Sequence, residues 1–281
     1  MLSKAIRWMI FSALSFALLN VFVKHLTSFS VYQVIFFRSL GTLVFTIPFL
    51  INQKISFFGH QKLLLILRSI VGFAGMGLFF ASIKFLTIGS AVSIRYVAPI
   101  FAAIFAIFIL KEKIKFLQWI CFIVAFVGVI LLKGFDPQVS NIGLGLAILS
   151  ALFTGLVFII IRKIGAKDHP VVIVNYFMVF SAIVGGVLAI KDWIMPQGLE
   201  WLILLSLGVF GYFGQLFMTK AVQSTEVNSI VPLKYIEVIF TMIFGILYFK
   251  ESYTIMSIFA ILLILTGLYF NTILKRNSRH T

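Results

Sequence analysis

The chain has 281 residues, of which 62% are apolar and 11% charged. A soluble domain carries about a quarter charged residues, so this composition excludes a water-facing surface and calls for lipid as the surrounding solvent. The formal charge of +15 comes from 23 Lys and Arg against 8 Asp and Glu; the basic residues fall mostly in short turns between apolar runs, as they do in membrane proteins, and nucleic acid is set aside as a partner.

A helix needs about 20 mostly apolar residues to cross the hydrocarbon. The apolar runs predict ten spans, over 5–24, 31–51, 63–83, 88–110, 116–133, 143–162, 171–190, 199–219, 228–249 and 254–274. The first run has no small-residue cleavage site after it and reads as helix one rather than a leader. Span two carries Gln33, Arg38 and Pro48, where the proline reads as a plain kink. Span three carries Arg68 and the small face Gly72, Gly75 and Gly77, which suits close helix packing. Span four carries Arg95, Tyr96 and Pro99 and ends on Lys111-Glu112. Span five holds Cys121, the single cysteine, so no disulfide framework is possible. Span seven carries Asn175 and Tyr176, and span eight carries Gly208, Gly211, Tyr212, Gly214 and Gln215. Span nine carries Pro232, Lys234, Tyr235 and Glu237, with Glu251 just past its end. Spans five and ten have no charge in their interiors.

Orientation follows from the turns. One side holds Lys4, Arg7, Lys54, Lys62, Lys111, Lys113, Lys115, Arg162, Lys163, Lys167, Lys220, Lys275, Arg276 and Arg279; the other holds Lys24, Lys84, Lys133, Lys191 and Lys250. The positive-inside rule places both termini in the cytoplasm, with the plasma (inner) membrane as the expected location.

The two halves, 1–139 and 140–281, repeat each other. Ser12-Ala13-Leu14 falls on Ser150-Ala151-Leu152 and Lys24 on Arg162. At a constant shift, Arg95-Tyr96 falls on Lys234-Tyr235, Lys111-Glu112 on Lys250-Glu251, and Gly128 on Gly267. Because five is odd, the second half crosses in the opposite sense. The expected fold is therefore an all-α integral membrane protein of two inverted five-helix repeats, an architecture frequent in secondary transporters.

The layout, the glutamates Glu112 and Glu251, and the stretches Arg68 to Ala81 and Pro232 to Glu237 resemble the drug/metabolite transporter superfamily, EamA family, nearest to the branch of S-adenosylmethionine carriers and G-type solute carriers. The resemblance covers the whole chain. It implies alternating access without ATP hydrolysis, with helices one to four and six to nine around a central cavity.

Charges inside spans mark sites, because each costs at least ~2.5–3.5 kcal/mol at mid-bilayer. Arg95, Lys234, Glu237, Arg38 and Arg68 are the embedded ones, and Tyr96, Tyr235 and Gln215 accompany them as substrate-binding candidates. Lys234 and Glu237, three apart on one helical face, can pair. Guanidinium groups grip carboxylate or phosphate bidentately, so the expected ligand is a small anionic or zwitterionic metabolite. Glu237 has three readings: a proton carrier, a contact for a cationic part of the substrate, or a counter-ion for Lys234. Glu112 and Glu251 are expected to serve as interfacial salt bridges or gates. Pro99 and Pro232 free the carbonyls of Arg95 and Asn228, which suits helices that line a cavity.

The four histidines lie in loops or at the tail. No metal-ligand spacing, Walker loop or catalytic cluster occurs, so the reading is a non-enzyme with no metal or cofactor. Partners are the bilayer and the substrate, with room for a homodimer. An S-adenosylmethionine or amino-acid-type zwitterion carrier is the second reading. A non-transporting scaffold or lipid-handling protein is the third.

Overall fold

The computed structural model describes residues 2–110, 116–135, 140–224, 230, 233–234 and 236–277. All regular structure among them is helical: α1 (Leu2–His25), α2 (Val31–Asn52), α3 (Lys62–Phe85), α4 (Ile88–Arg95), α5 (Ala98–Leu110), α6 (Phe116–Phe135), α7 (Asn141–Ile164), α8 (Pro170–Ala189), α9 (Leu199–Ser224), α10 (Ile236–Phe249) and α11 (Ile255–Asn277), with 3-10 turns at Gly165–Lys167 and Ile190–Asp192. Among the described residues, seven helical stretches, with Ile88–Ile109 counted as one, are long and apolar enough to cross a membrane. Three shorter apolar helices cover Phe116–Leu131, Ile236–Phe249 and Ile255–Gly267.

Expected span four is two helices. Tyr96 N–H donates to the carbonyl of Val92 at 3.1 Å, but Val97 N–H turns to Ile94 and Ile100 N–H to Val97 in tight three-residue bonds. Pro99 cannot donate, so the break falls before it and the proline sits in the first turn of α5, where its missing N–H costs little. Pro48, by contrast, lies inside an α2 that runs on to Asn52. Helix starts follow their caps. Thr87 accepts from Ser90 N–H ahead of α4, Ser140 from Gly143 N–H ahead of α7, and His169 from Val171 N–H ahead of α8, with Pro170 at its first position.

Large apolar side chains face outward as well as inward, and a set of polar ones is buried. Val44, Phe58, Leu63, Phe108, Phe116, Ile130 and Ile255 are exposed, while Ser12, Asn20, Gln33, Arg38, Arg68 and Glu237 are buried. Fully exposing such apolar side chains to water would cost about 1.5–3 kcal/mol each. The chain is a multi-pass membrane protein, with its polar groups turned inward.

The packing returns to itself when the two halves are exchanged. Helix α1 packs on α9 and α10 as α7 packs on α3 and α5; α2 packs on α9 as α8 packs on α3; α2–α8, α4–α10 and α6–α11 pair across the halves. Two glycine contacts set the closest approaches. A Cβ at Gly208 would collide with the Gly41 backbone, so α2 and α9 cross main chain to main chain. Gly128 and Gly267 admit each other's helices, with a Cβ at Gly267 2.7 Å from the Cys121 carbonyl oxygen and one at Gly128 2.8 Å from that of Ala260. These are the packing roles that small faces suggest.

Candidate functional site

A cavity lies between α1, α2, α3, α4, α7, α8 and α9. Its lining brings together Arg38, Arg68, Arg95 and Lys234 with Asn20, Gln215, Met76 and the rings of Phe16, Phe79, Phe80, Phe158 and Phe177; none of its lining residues comes from α6 or α11. It offers about 70 Å³ to water, room for a handful of molecules.

Glu237, in the first turn of α10, is fully buried and collects four donors. Its Oε1 accepts from Asn20 Nδ2 at 2.7 Å and from Arg95 Nη2 at 3.3 Å. Its Oε2 accepts from the Tyr96 hydroxyl at 2.5 Å and faces Lys234 Nζ at 3.7 Å. The local Lys234–Glu237 pair thus forms, but Arg95 and Tyr96 reach the same carboxylate from the other half. Arg95 also lies 3.7 Å over the Phe79 ring, and Lys234 lies 4.5 Å over Phe16.

Arg38 and Arg68 are different. They are 2% and 1% exposed, and neither has a carboxylate partner among the described residues. Arg68 Nη2 donates to Gln215 Oε1 at 2.9 Å, and its guanidinium lies 3.9 Å over Phe177. Arg38 Nη1 donates to the Met76 sulfur, and its guanidinium faces the Phe16 and Phe80 rings at 6.0 and 5.6 Å. Among the described residues, four buried donor atoms have no protein partner: Arg38 Nε and Nη2, and Arg68 Nε and Nη1. The first two form one edge of a guanidinium, the fork that a carboxylate or phosphate accepts bidentately. Glycines make the space for both groups. A Cβ at Gly72 would strike Arg68 Nη1, and one at Gly211 would sit 3.0 Å from Arg38 Nε.

Glu251 lies outside the cavity, past the end of α10. Both its oxygens accept from Ile88 N–H, at 3.0 and 3.1 Å, so a carboxylate caps the N-terminus of α4, where the helix dipole favours it. Lys24 Nζ stands 3.5 Å away and also donates to the carbonyls of Ile83 and Leu86 at 3.0 and 2.7 Å. The Tyr253 hydroxyl donates to Glu251 at 2.6 Å and accepts from Gly89 N–H at 3.0 Å. Burial and the adjacent carboxylate push the Tyr253 phenol well above its ordinary value. Glu112, Pro232 and Tyr235 lie outside the described residues.

The remaining polar positions have other work. Gln33 pins the chain at Ile194 through both amide groups, at 2.5 and 3.1 Å. Asn175 accepts from Thr46 at 2.9 Å, Tyr176 donates to the Phe58 carbonyl at 2.7 Å, and Tyr212 stacks on Phe45 at 5.3 Å. At the opposite face from Glu251, buried Asp168 accepts from the backbone N–H of His60 at 2.5 Å and of Gln61 at 3.1 Å, capping α3. The reading of the spans passes over Asp168, although an acid in a chain with eight of them is itself a signal. Among the described residues no three His, Cys, Asp or Glu side chains gather as a metal site.

The sequence profile described as the EamA-like transporter family matches residues 3–133 and 141–273. Human solute carrier family 35 member G1 is 29% identical over 85% of this chain and 71% of its own. The pseudopaline exporter CntI of Pseudomonas aeruginosa is 26% identical over 86% of both chains. The S-adenosylmethionine uptake transporter of Rickettsia prowazekii is 26% identical over 87% of this chain and 84% of its own. A solved crystal structure superposes with a TM-score of 0.73 over 99% of both chains at 14% identity, which is a likeness of fold alone.

Proposed function

Because the chain belongs to the EamA-like transporter family, we propose that it carries a small polar metabolite bearing carboxylate or phosphate groups across the membrane, by alternating access and without ATP hydrolysis. In this reading the repeats 1–139 and 140–281 cross the bilayer ten times, rock about the cavity, and leave both termini in the cytoplasm of a plasma-membrane protein.

One observation supports a negatively charged substrate: Arg38 and Arg68 line the cavity, are buried, and keep four donor nitrogens without a protein partner among the described residues. A buried guanidinium edge left bare is costly, and a guanidinium does not shed its proton to escape that cost. An anion relieves it with charge-assisted bonds worth about 1.5–3 kcal/mol each. Arg95 and Lys234, already held by Glu237, set the electrostatic background, with Tyr96 and Asn20 fixing the carboxylate between them. Gln215 holds Arg68 in place. Glu251 with Lys24, and Glu112 on the opposite side, are the residues we assign to closing the two ends.

A zwitterion carrier is the second reading. Glu237, a carboxylate within reach of the cavity, would attract an ammonium or sulfonium group, and one relative is named for S-adenosylmethionine uptake. Against it, four donors already occupy Glu237.

The test is uptake by the purified protein in liposomes, against labelled succinate, citrate, glycerol 3-phosphate, alanine and S-adenosylmethionine. Saturable uptake of an anion, abolished in both Arg38→Ala and Arg68→Ala, supports the proposal. Uptake of S-adenosylmethionine alone, or lipid scrambling with no uptake of any solute, overturns it.

A further inference from the structure

A second cavity opens on the flank of the bundle, away from the arginines. Its floor is one face of α3, where Ala81, Gly77 and Ala74 follow at helical spacing down to Phe73, with Leu146 of α7 beside them. It encloses about 630 Å³, against about 70 Å³ in the central cavity. Packing explains two of the glycines of α3. A Cβ at Gly72 would strike Arg68, and one at Gly75 would lie 3.1 Å from Phe153. Gly77 is different. Among the described residues a Cβ there would meet only Ile35, at an ordinary 3.7 Å, so protein packing gives no reason for its missing side chain.

The groove has the depth and polarity of one leaflet. From Lys84 down to Phe73 the helix descends ~16 Å at ~1.5 Å per residue, and one leaflet contributes ~15 Å of the ~30 Å hydrocarbon core. The apolar floor therefore runs from the headgroup level to the bilayer centre. At its polar end stand Lys84 and Asp192, with the hydroxyls of Ser28, Ser30 and Tyr32. The Ser30 hydroxyl caps no backbone N–H. Both charges are positioned by the fold. The Lys84 ammonium donates to the Phe29 carbonyl at 2.7 Å, which uses one of its three donors. The chain just past Asp192 is pinned where Ile194 meets both amide groups of Gln33, at 2.5 and 3.1 Å. Yet among the described residues no ion pair joins Lys84 to Asp192, or either of them to another charge. Opposite charges that share one rim without closing on each other match a headgroup that carries both signs. Lys84 has N–H donors to give a phosphate. Asp192 only accepts, so it favours an ammonium that still bears N–H over a quaternary one.

We infer that this groove binds one phospholipid with an ethanolamine-type headgroup, its phosphate at Lys84, its ammonium at Asp192, and an acyl chain along the Ala74, Gly77 and Ala81 face of α3. The inference does not depend on what the central cavity carries. Lipid tails are as apolar as the groove, so the tail gains little by leaving its neighbours, and the headgroup decides which lipid is held. The same helix turns Arg68, Met76 and Phe79 to the central cavity, so the lipid lies against the back of a helix that lines it.

The experiment uses the full chain purified in maltoside detergent, stripped of lipid, and titrated with dioleoyl phosphatidylethanolamine, phosphatidylcholine or phosphatidylglycerol. Native mass spectrometry counts the bound lipids. The expected result is one saturable ethanolamine lipid, held at least about 5-fold more tightly than either of the others, as one exposed charge pair provides. Asp192→Asn should bring the ethanolamine and choline lipids to within about 2-fold of each other, and Lys84→Met should weaken all three by about 5-fold. Gly77→Leu fills the groove where a Cβ meets no obstacle. It should abolish saturable binding without lowering the unfolding temperature of the lipid-free protein, since leucine is the better helix former. Equal affinity for the three lipids, a preference for phosphatidylglycerol, or an ethanolamine preference that survives Asp192→Asn overturns the inference. So does displacement of the lipid by an equal concentration of soluble phosphoethanolamine. Lys84 and Asp192 are both exposed, so their variants decide the outcome even where Gly77→Leu does not fold.

Discussion

Replacing Arg38 with methionine separates a binding arginine from a structural one by the sign of its effect on stability. Arg38 is 2% exposed, with Nε and Nη2 unpartnered. Holding such a charge at mid-membrane costs ~2.5–3.5 kcal/mol on insertion scales. Its offsets are two distant ring contacts, at 6.0 and 5.6 Å, together about 1 kcal/mol at the weak end of cation–π interactions, and one bond to the Met76 sulfur, about another 0.5 kcal/mol. Methionine fills similar space without the charge. The ligand-free protein therefore gains ~1–2 kcal/mol in Arg38→Met. Binding moves the opposite way. Loss of a bidentate grip removes two charge-assisted bonds, at least ~3 kcal/mol, or more than about 100-fold in affinity. Tryptophan-fluorescence unfolding in detergent titrations reads the first effect, and the half-saturating substrate concentration in liposomes reads the second. A variant that is destabilised by more than about 1 kcal/mol and binds normally would refute the reasoning and make Arg38 a packing residue.

Glu237→Gln strips the carboxylate from Arg95 and Lys234, and it is expected to destabilise the protein by about 3–5 kcal/mol as a broken buried pair; its residual uptake should keep the wild-type pH profile, and a lost pH dependence would restore Glu237 as a proton carrier. Asp168→Asn weakens the cap on two N–H groups at the start of α3, and a loss of about 1–3 kcal/mol is expected in the same unfolding assay. His169 gives a pH signature. Burial, then the charge of Lys220, holds its imidazole below the ordinary range, and its Nδ1 accepts from Val171 N–H at 3.3 Å. The folded state therefore resists protonation: the stabilisation is complete above the unfolded value near 6.5 and is lost as pH falls through the lower folded value. Melting temperature should fall below about pH 6.5, and His169→Gln should flatten that slope.

Much of the fold was legible because lipid imposes a simple rule: long apolar runs are helices, and embedded charges turn inward. Pro99 marked the place where α4 gives way to α5. The Lys234–Glu237 contact followed from helical spacing. Partners across helices did not follow. Asn20 meets Glu237 from 217 residues away, and Gln215 meets Arg68 from 147; periodicity fixes which face a side chain takes but not which helix faces it. Glu251 illustrates the same limit. It is expected to serve as an interfacial salt bridge or gate, and its position in the sequence does not show that its carboxylate crosses to the N-terminus of α4 and to Lys24. The ring partners of the arginines, Phe16, Phe79 and Phe177, were hidden among 33 phenylalanines, in a chain where an aromatic residue is an ordinary lipid-facing one.

The repeat explains why the charge imbalance sits where it does. Arg95 and Lys234 occupy equivalent positions and share one carboxylate, so Glu237 ties the halves together with a donor from each. Arg38 and Arg68 both belong to the first half, and at a shift of 140 residues, one more than that relating Arg95 to Lys234, their equivalents are Met178 and Gly208. Gly208 leaves no room for any side chain, since α9 meets the Gly41 backbone there, and Met178 is fully buried in the core. A second arginine pair is therefore barred by the packing that joins α2 to α9. The second half contributes neutral contacts instead: Gln215 holds Arg68, and Phe177 lies beneath it. On the anion-transport proposal, the first half grips the ligand and the second shapes the space around it. On that proposal, the asymmetry fits a ligand without two-fold symmetry to a nearly two-fold frame, and Gln215 and Phe177, rather than the arginines, are the positions where exchanging side chains is expected to change the anion preferred.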